Sequence, residues 1–405
     1  MNLNFSMDLK LEIEEEIKNW EKERQRTLTV EELDYIKISK EREKVASMPR
    51  ILILGADGYI GVALYYYLKS NYYQILGVDN RSRQRNVVSI GSDSLTYNRQ
   101  PADINIDLSK DYNGLKDLLI SYKPDVIVNL AQQPSAPFSM IDAKHAVETQ
   151  SNNNSTNLNV LYAVKEVNPD IHIIQLGTAG EYPDWLYDGV EIPEGSRIKV
   201  QYNKKDWIIP TPRYAGSWYH FSKLHSSYNA DYACRIWGLR VSDVNQGIVY
   251  GNTGDNRLDY DEYFGTVINR FVVQAVSGIP LTIYGVGGQT RSFIHIKNSV
   301  EAIKLMIDNP ADKGEYRIIH QLTDVKNIND IAQMIRNITD CEIQYIDNPR
   351  AEMPENKFSF EAKKLKTLGL EPVDMETEIR NLIDIVKKYK DNIRTEVILP
   401  KTKWK

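Results

Sequence analysis

Cysteine is scarce: Cys234 and Cys341 are the two thiols in 405 residues. Two distant thiols build no disulfide framework, and no Cys/His spacing resembles a zinc site. The sequence therefore predicts a reducing, cytoplasmic setting and no metal. Long apolar runs are missing too, since none approaches the ~18 residues that a membrane-spanning helix needs. Nor is positive charge in excess. The 50 Lys+Arg face 55 Asp+Glu, a net charge of −5, which excludes the basic footprint of a nucleic-acid binder. The first residues show no charged-then-apolar leader, and their Glu content argues against a transit peptide. No internal repeat is visible. What is there is an ordinary globular composition, 42% hydrophobic and 26% charged, with length for two or three domains.

Residues 1–47 stand apart, with 12 acidic and 9 basic residues and neither Gly nor Pro. Ile13, Ile17 and Trp20 recur at helical spacing, and Thr29 with Glu32 reads as the capping box of a second helix. This predicts a charged helical extension, either solvated or docked on a partner. From residue 50 on, apolar strands at 51–54, 75–78, 103–106, 126–130, 171–176 and 239–244 alternate with helical stretches. The alternation predicts an α/β fold with a Rossmann-type doubly wound parallel sheet over residues 48–245. A smaller α/β lobe is expected over 246–405, with strands at 281–284, 316–320 and 343–346. The proline-bearing stretch 183–214 is expected to cross toward it.

Chemistry enters at the first turn. Gly55-Ala56-Asp57-Gly58-Tyr59-Ile60-Gly61 follows the first strand and opens a helix. Its three glycines suit a tight turn, close approach of a pyrophosphate and close helix–strand packing. The helix N-terminus offers unpaired N–H groups to the phosphates. Asp79 ends the second strand, where its carboxylate accepts from ribose hydroxyls and repels a 2′-phosphate, which favours NAD over NADP. Arg81 and Arg83 follow it and pull the other way. Further along, Tyr219-His220-Phe221-Ser222-Lys223 lies near the start of a helix expected over 216–237. Tyr219 and Lys223, at i and i+4, share a helix face. A lysine ammonium there is expected to lower the Tyr pKa and make the phenol a usable base.

The glycine turn with Tyr219 and Lys223 resembles the extended short-chain dehydrogenase/reductases of the nucleotide-sugar branch. Longer stretches narrow the likeness to the UDP-sulfoquinovose synthase family: Ser-Ala-Pro-Phe-Ser-Met-Ile-Asp at 135–142, Leu-Gly-Thr-Ala-Gly-Glu-Tyr at 176–182, Asn-Gln-Gly-Ile-Val-Tyr-Gly at 245–251, Asn-Arg-Leu-Asp-Tyr-Asp at 256–261, Gly-Gly-Gln-Thr-Arg at 287–291 and Asn-Pro-Arg at 348–350. The likeness covers roughly residues 50–404 and leaves 1–47 out.

The resemblance implies that UDP-glucose and sulfite become UDP-sulfoquinovose with NAD as resident cofactor: oxidation at C4, loss of water across C5/C6, addition of sulfite at C6, and reduction at C4. It implies Thr178 as partner of the sugar hydroxyl, Tyr219 and Lys223 as the base and its support, and His220 and Glu181 as proton handlers at C5/C6. For the cofactor it implies the 55–61 turn with Asp57, Tyr59 and Ile60, then Asp79, Asn80, Arg81, Asp107, Leu108, Leu130, Ala131, Gln132 and Asn153. For the sugar nucleotide it implies Arg291 and Arg350 on the pyrophosphate, residues 281–284 (Thr282, Tyr284) on the uracil, and Asn245, Gln289, Gln133, Ser135, Gln246 and Arg257 as further contacts. A homodimer or higher homo-oligomer is expected.

Two departures carry information. The family has Glu-Gln-Arg before Ser-Ala-Pro, whereas this chain has Gln132-Gln133-Pro134. Sugar-nucleotide 4,6-dehydratases carry Thr-Asp-Glu at the strand end, whereas this chain has Thr178-Ala179-Gly180, as the synthases do. The competing readings are a UDP-glucose 4-epimerase, a 4,6-dehydratase, and, from another class, a non-catalytic NAD-sensing regulator.

Overall fold

The alternation of short apolar strands with helices yields the expected parallel sheet. In the computed structural model, which describes residues 7–83, 89–90, 101–254, 257–350 and 352–404, seven strands form the central sheet. Their order is Tyr316–Gln321, Arg240–Gln246, His172–Thr178, Val126–Asn129, Arg50–Leu54, Gln74–Asp79 and Ile104–Asn105, every neighbour parallel. Asn256, which opens one of the motifs, lies outside the described residues.

Successive strand residues point to opposite faces, so Ile51-Leu52-Ile53-Leu54 must be covered on both. Ile51 and Ile53 pack with Ala63, Leu64 and Leu68 of helix Tyr59–Ser70 and with Val300 and Ile303 of helix Ile296–Asp308. Leu52 and Leu54 pack on the other side with Leu115 and Leu119 of helix Tyr112–Tyr122 and with Val160 and Val164 of helix Ala143–Val167. Cover on both faces is what a near-continuous apolar strand requires.

One strand is not where the sequence placed it. The segment expected at 316–320 in the second lobe is the edge strand Tyr316–Gln321 of the central sheet, paired with Arg240–Gln246. After the lobe begins, the chain returns through helix Ile296–Asp308 to complete a parallel crossover. A run rich in Ile cannot by its pattern say which sheet it joins. The lobe has its own core, where Phe271 and Val272 of helix Val267–Ser277 meet Ile331 and Ile335 of Ile328–Thr339 and Ile379 and Ile383 of Met375–Lys387. Strand Leu281–Tyr284 pairs parallel with Ile343–Ile346 at its side.

Segment 183–214 pairs with residues late in the chain. Its strand Glu191–Ile192 pairs with Ser359–Phe360, and Glu194 accepts from the Lys363 and Lys364 N–H groups at 2.9 and 3.0 Å. It also forms a hairpin, Arg197–Tyr202 with Lys205–Pro210. The N-terminal extension is a pair of helices, Met7–Arg24 and Val30–Ser47, and the Thr29/Glu32 capping box is present. Ile13 and Ile17 pack with Leu9, Leu28 and Ile36, and the cluster reaches Tyr72 of the sheet domain.

Candidate active site

The site is assembled where strand ends meet helix starts. At the first turn, Gly55 has φ +83°, and a Cβ there would lie 2.7 Å from the Leu130 carbonyl carbon. A Cβ on Gly61 would lie 2.2 Å from the Gly55 carbonyl oxygen. Only glycines permit this closeness of turn, helix and neighbouring strand. Gly58 caps helix Tyr59–Ser70 without a side chain to fill its N-terminus. A helix N-terminus without a capping side chain is suited to an anion. Asp79 lies at the end of the adjacent strand and accepts from the Asp57 N–H at 3.0 Å. Burial raises its carboxyl above the usual range, opposed by the Arg81 N–H bond. A glycine cradle beside a half-buried acid is the shape and donor set that a dinucleotide needs, so the residues fit NAD.

This turn forms one end of a cavity of about 1100 Å³. Its walls bring together most of the residues picked out from the sequence. Of the residues expected at the cofactor, Gly55, Gly58, Tyr59, Ile60, Gly61, Asp79, Asn80, Asp107, Leu108, Leu130, Ala131 and Gln132 line it. Thr178, Tyr219, His220 and Lys223 line it too, as do Gln133, Ser135, Gln246, Thr282, Tyr284, Gln289, Arg291 and Arg350. Pro134 lines it as well, at the position where the family carries arginine.

Helix Trp218–Trp237 starts at an N-cap, Ser217, whose hydroxyl accepts from the His220 N–H. The same hydroxyl lies 2.9 Å from His220 Nδ1 and fixes the ring. Burial, then Arg350, Arg291 and Lys223, lower the His220 pKa to about 3, so the imidazole is neutral. Its Nε2 occupies the space a side chain at position 180 would need: a Cβ on Gly180 would sit 2.4 Å from it. The Tyr219 N–H donates to Ser139 Oγ at 3.1 Å, which pins the start of the helix to the 135–142 segment. Thr178 Oγ1 accepts from the Gly180 N–H at 3.1 Å.

Lys223 Nζ lies 5.7 Å from the Tyr219 ring centroid and donates to the Leu176 carbonyl. Burial lowers its pKa to about 8, against the pull of Asp243 and Glu181. The expected lowering of the Tyr219 pKa is corrected here. Burial raises it, Glu181 adds to the rise, and Arg83 opposes. The lysine bond to a carbonyl leaves desolvation as the larger effect on the phenol.

Six other expected contacts do not face the cavity. Glu181 is fully buried behind the strand end, its carboxylate paired with Arg213 at 2.8 Å. It is therefore no proton handler at the sugar. Asn153 holds the site from outside, accepting from the Gln133 N–H at 2.8 Å and donating to Ser222 Oγ at 2.8 Å. Asn245 donates to Tyr182 Oη at 3.2 Å. Arg257 donates to Asp259 at 2.8 Å and to the Asp57 carbonyl at 2.9 Å, linking the lobe to the phosphate turn. Asp57 and Arg81 pair with each other at 3.1 Å. The backbone edge expected to face a uracil is partly occupied, because Thr282 N–H donates to Gln274 Oε1 and the Tyr284 carbonyl accepts from Gln289.

Several lining residues escaped the sequence reading. Arg270 donates to Tyr284 Oη at 2.8 Å, and Glu352 pairs with Arg291. Arg350 lies 5.4 Å over the Trp404 ring. An arginine inside the apolar helix segment Val267–Ser277 was the available signal for Arg270. Glu352 and Trp404 gave none, because chain distance hides their approach.

The profile of the NAD dependent epimerase/dehydratase family matches residues 51–320. The chain belongs to that family, its cofactor is NAD, and its substrates are nucleotide sugars. The UDP-sulfoquinovose synthase of Sulfolobus acidocaldarius is 38% identical over 387 residues, covering 88% of this chain and 98% of that protein. The chloroplastic UDP-sulfoquinovose synthase of Spinacia oleracea is 36% identical over 385 residues, 88% of this chain and 79% of that one. Within the family the chain groups with these synthases. Among solved structures, UDP-glucose 4-epimerase from Thermotoga maritima with UDP-glucose superposes with a TM-score of 0.64 at 20% identity, covering 84% of this chain and 99% of that chain. That likeness speaks for the fold alone.

Proposed function

We propose that the protein converts UDP-glucose and sulfite to UDP-sulfoquinovose. The observation that carries this reading is the meeting of His220 Nε2 with Gly180 in a cavity also lined by Thr178, Tyr219 and Lys223. Where a 4,6-dehydratase carries the Glu of its Thr-Asp-Glu, this site carries a neutral imidazole. NAD, when bound, supplies the oxidising equivalent at C4 and returns it at the end of the cycle. Thr178 holds the 4-hydroxyl and Tyr219 takes its proton, with Lys223 favouring the phenolate. A C4 ketone acidifies the C5 proton, which His220 accepts, and the C6 hydroxyl leaves as water. Sulfite adds to C6 of the resulting enone, so one water leaves for each sulfite that enters. Arg291 and Arg350 pair with the pyrophosphate.

We also read the chain as a homo-oligomer. Helices Ala143–Val167 and Trp218–Trp237 pack side by side and expose Val147, Tyr162, Tyr228, Tyr232 and Ile236, an apolar set suited to a second copy. Among the described residues no helix is long and apolar enough to cross a membrane. Cytoplasmic placement is our reading of the free thiols Cys234 and Cys341.

With UDP-glucose and no sulfite, the protein is expected to hold its cofactor reduced and release no deoxysugar. No acid stands at position 179 or 180 to complete a dehydratase cycle. Absorbance of reduced nicotinamide, followed before and after sulfite is added, checks this. Steady release of UDP-4-keto-6-deoxyglucose from the sulfite-free mixture contradicts it.

A further inference from the structure

Two arginines follow Asp79, and both are held by carboxylates. Arg83 pairs with Asp259 and lies 5.1 Å over the Phe264 ring. Arg81 is tied differently. Its Nε donates to Asp57 Oδ2 at 3.1 Å and its Nη2 to the Ala102 carbonyl at 3.2 Å. Asp57 belongs to the phosphate turn and its side chain is 1% exposed. Its other oxygen accepts from the Ala102 N–H at 2.8 Å. Its own N–H donates to Asp79 Oδ2, and the Arg81 N–H donates to Asp79 Oδ1. Arg81 reaches this position with φ +56°, an uncommon conformation for a residue with a Cβ.

These bonds place the Arg81 backbone on Asp79, the acid read as the acceptor of the ribose hydroxyls, while the guanidinium is turned toward the turn and Ala102. Asp79 lines the cavity and Arg81 does not. An arginine fork beside a ribose is the group that receives a 2′-phosphate. Here its charge is already spent on a buried carboxylate. We propose that Asp57 sets the choice of dinucleotide by holding Arg81 away from the ribose pocket, so that its loss lets the protein take a 2′-phosphorylated cofactor. The proposal rests on the cofactor reading, and wild-type binding of NAD tests that reading separately.

The test is binding, not turnover. Dissociation constants for NAD and NADP are measured by calorimetry on the full chain for wild type, Asp57→Asn, Asp57→Ser and the double variant Asp57→Asn/Arg81→Ala. Wild type is expected to prefer NAD. Asp57→Asn is expected to move the NAD-to-NADP ratio toward NADP by about tenfold or more, the scale of a charge-assisted phosphate contact. Asp57→Ser removes the same carboxylate and is expected to give the same shift, so a folding defect in one variant leaves the other to decide. Removing Arg81 as well is expected to abolish the gain. An unchanged ratio in the single variants overturns the proposal. So does a gain that survives in the double variant, which would assign the effect to the Asp57 charge itself.

Discussion

Replacing Tyr219 by phenylalanine is expected to lower turnover by at least ~10²-fold, the scale of general-base removal, with NAD still bound. The ring stays, so the packing of a half-buried side chain at the start of helix Trp218–Trp237 is kept. What is lost is the hydroxyl that Lys223, 5.7 Å from the ring centroid, is placed to support. Burial raises the pKa of the phenol, which disfavours the phenolate. Its work as a base therefore depends on the Lys223 ammonium and the bound cofactor together, and Phe offers no proton site to either. Turnover with UDP-glucose and sulfite, alongside calorimetric NAD binding, checks this. Near-normal turnover removes Tyr219 from the role.

Glu181→Ala is expected to destabilise the fold by about 3–5 kcal/mol, the usual consequence of stripping a buried guanidinium of its partner. Arg213 and Glu181 have side chains 2% and 0% exposed and meet at 2.8 Å. Burial raises the Glu181 carboxyl above the usual carboxylate range, opposed first by Arg213. Ser227 donates to Asp243 at 2.6 Å beside them, and Tyr316 donates to the same Asp243 oxygen at 2.8 Å. Removing one member leaves charge without compensation in a layer that water does not reach. The double variant Glu181→Leu/Arg213→Met is expected to recover much of the loss, since replacing a whole buried pair with apolar groups is often near neutral. Urea unfolding of wild type, the single and the double variant measures both. A single variant within about 1 kcal/mol of wild type would show that the pair contributes little.

How far the sequence could be read depends on how local each signal is. The 55–61 turn, Asp79, and Tyr219 with Lys223 are local patterns whose spacing fixes their geometry, and the cavity is lined by the three glycines of that turn, Tyr59, Ile60, Asp79, Tyr219 and Lys223. The Thr29/Glu32 cap is equally local and is present. Strand 316–321 was legible as a strand but not as a member of the central sheet, because pairing partners are not encoded in period. Glu181 misled for a related reason. It sits three residues after Thr178, and only the turn Ala179–Glu181 decides that its carboxylate points to Arg213 rather than to the sugar. The Asp57–Arg81 pair joins residues 24 apart, and no pattern in either segment announces it.

The measurement that bears most directly on the proposed chemistry is the mass of the nucleotide sugar formed from UDP-glucose with and without sulfite. His220 in the place of the dehydratase Glu leads to one expectation. With sulfite the product is a UDP-hexose sulfonate, one water lost and one sulfite gained, and without sulfite no new nucleotide sugar accumulates. Release of UDP-galactose or of UDP-4-keto-6-deoxyglucose whether or not sulfite is present would contradict the account and leave an epimerase or a dehydratase on the same fold.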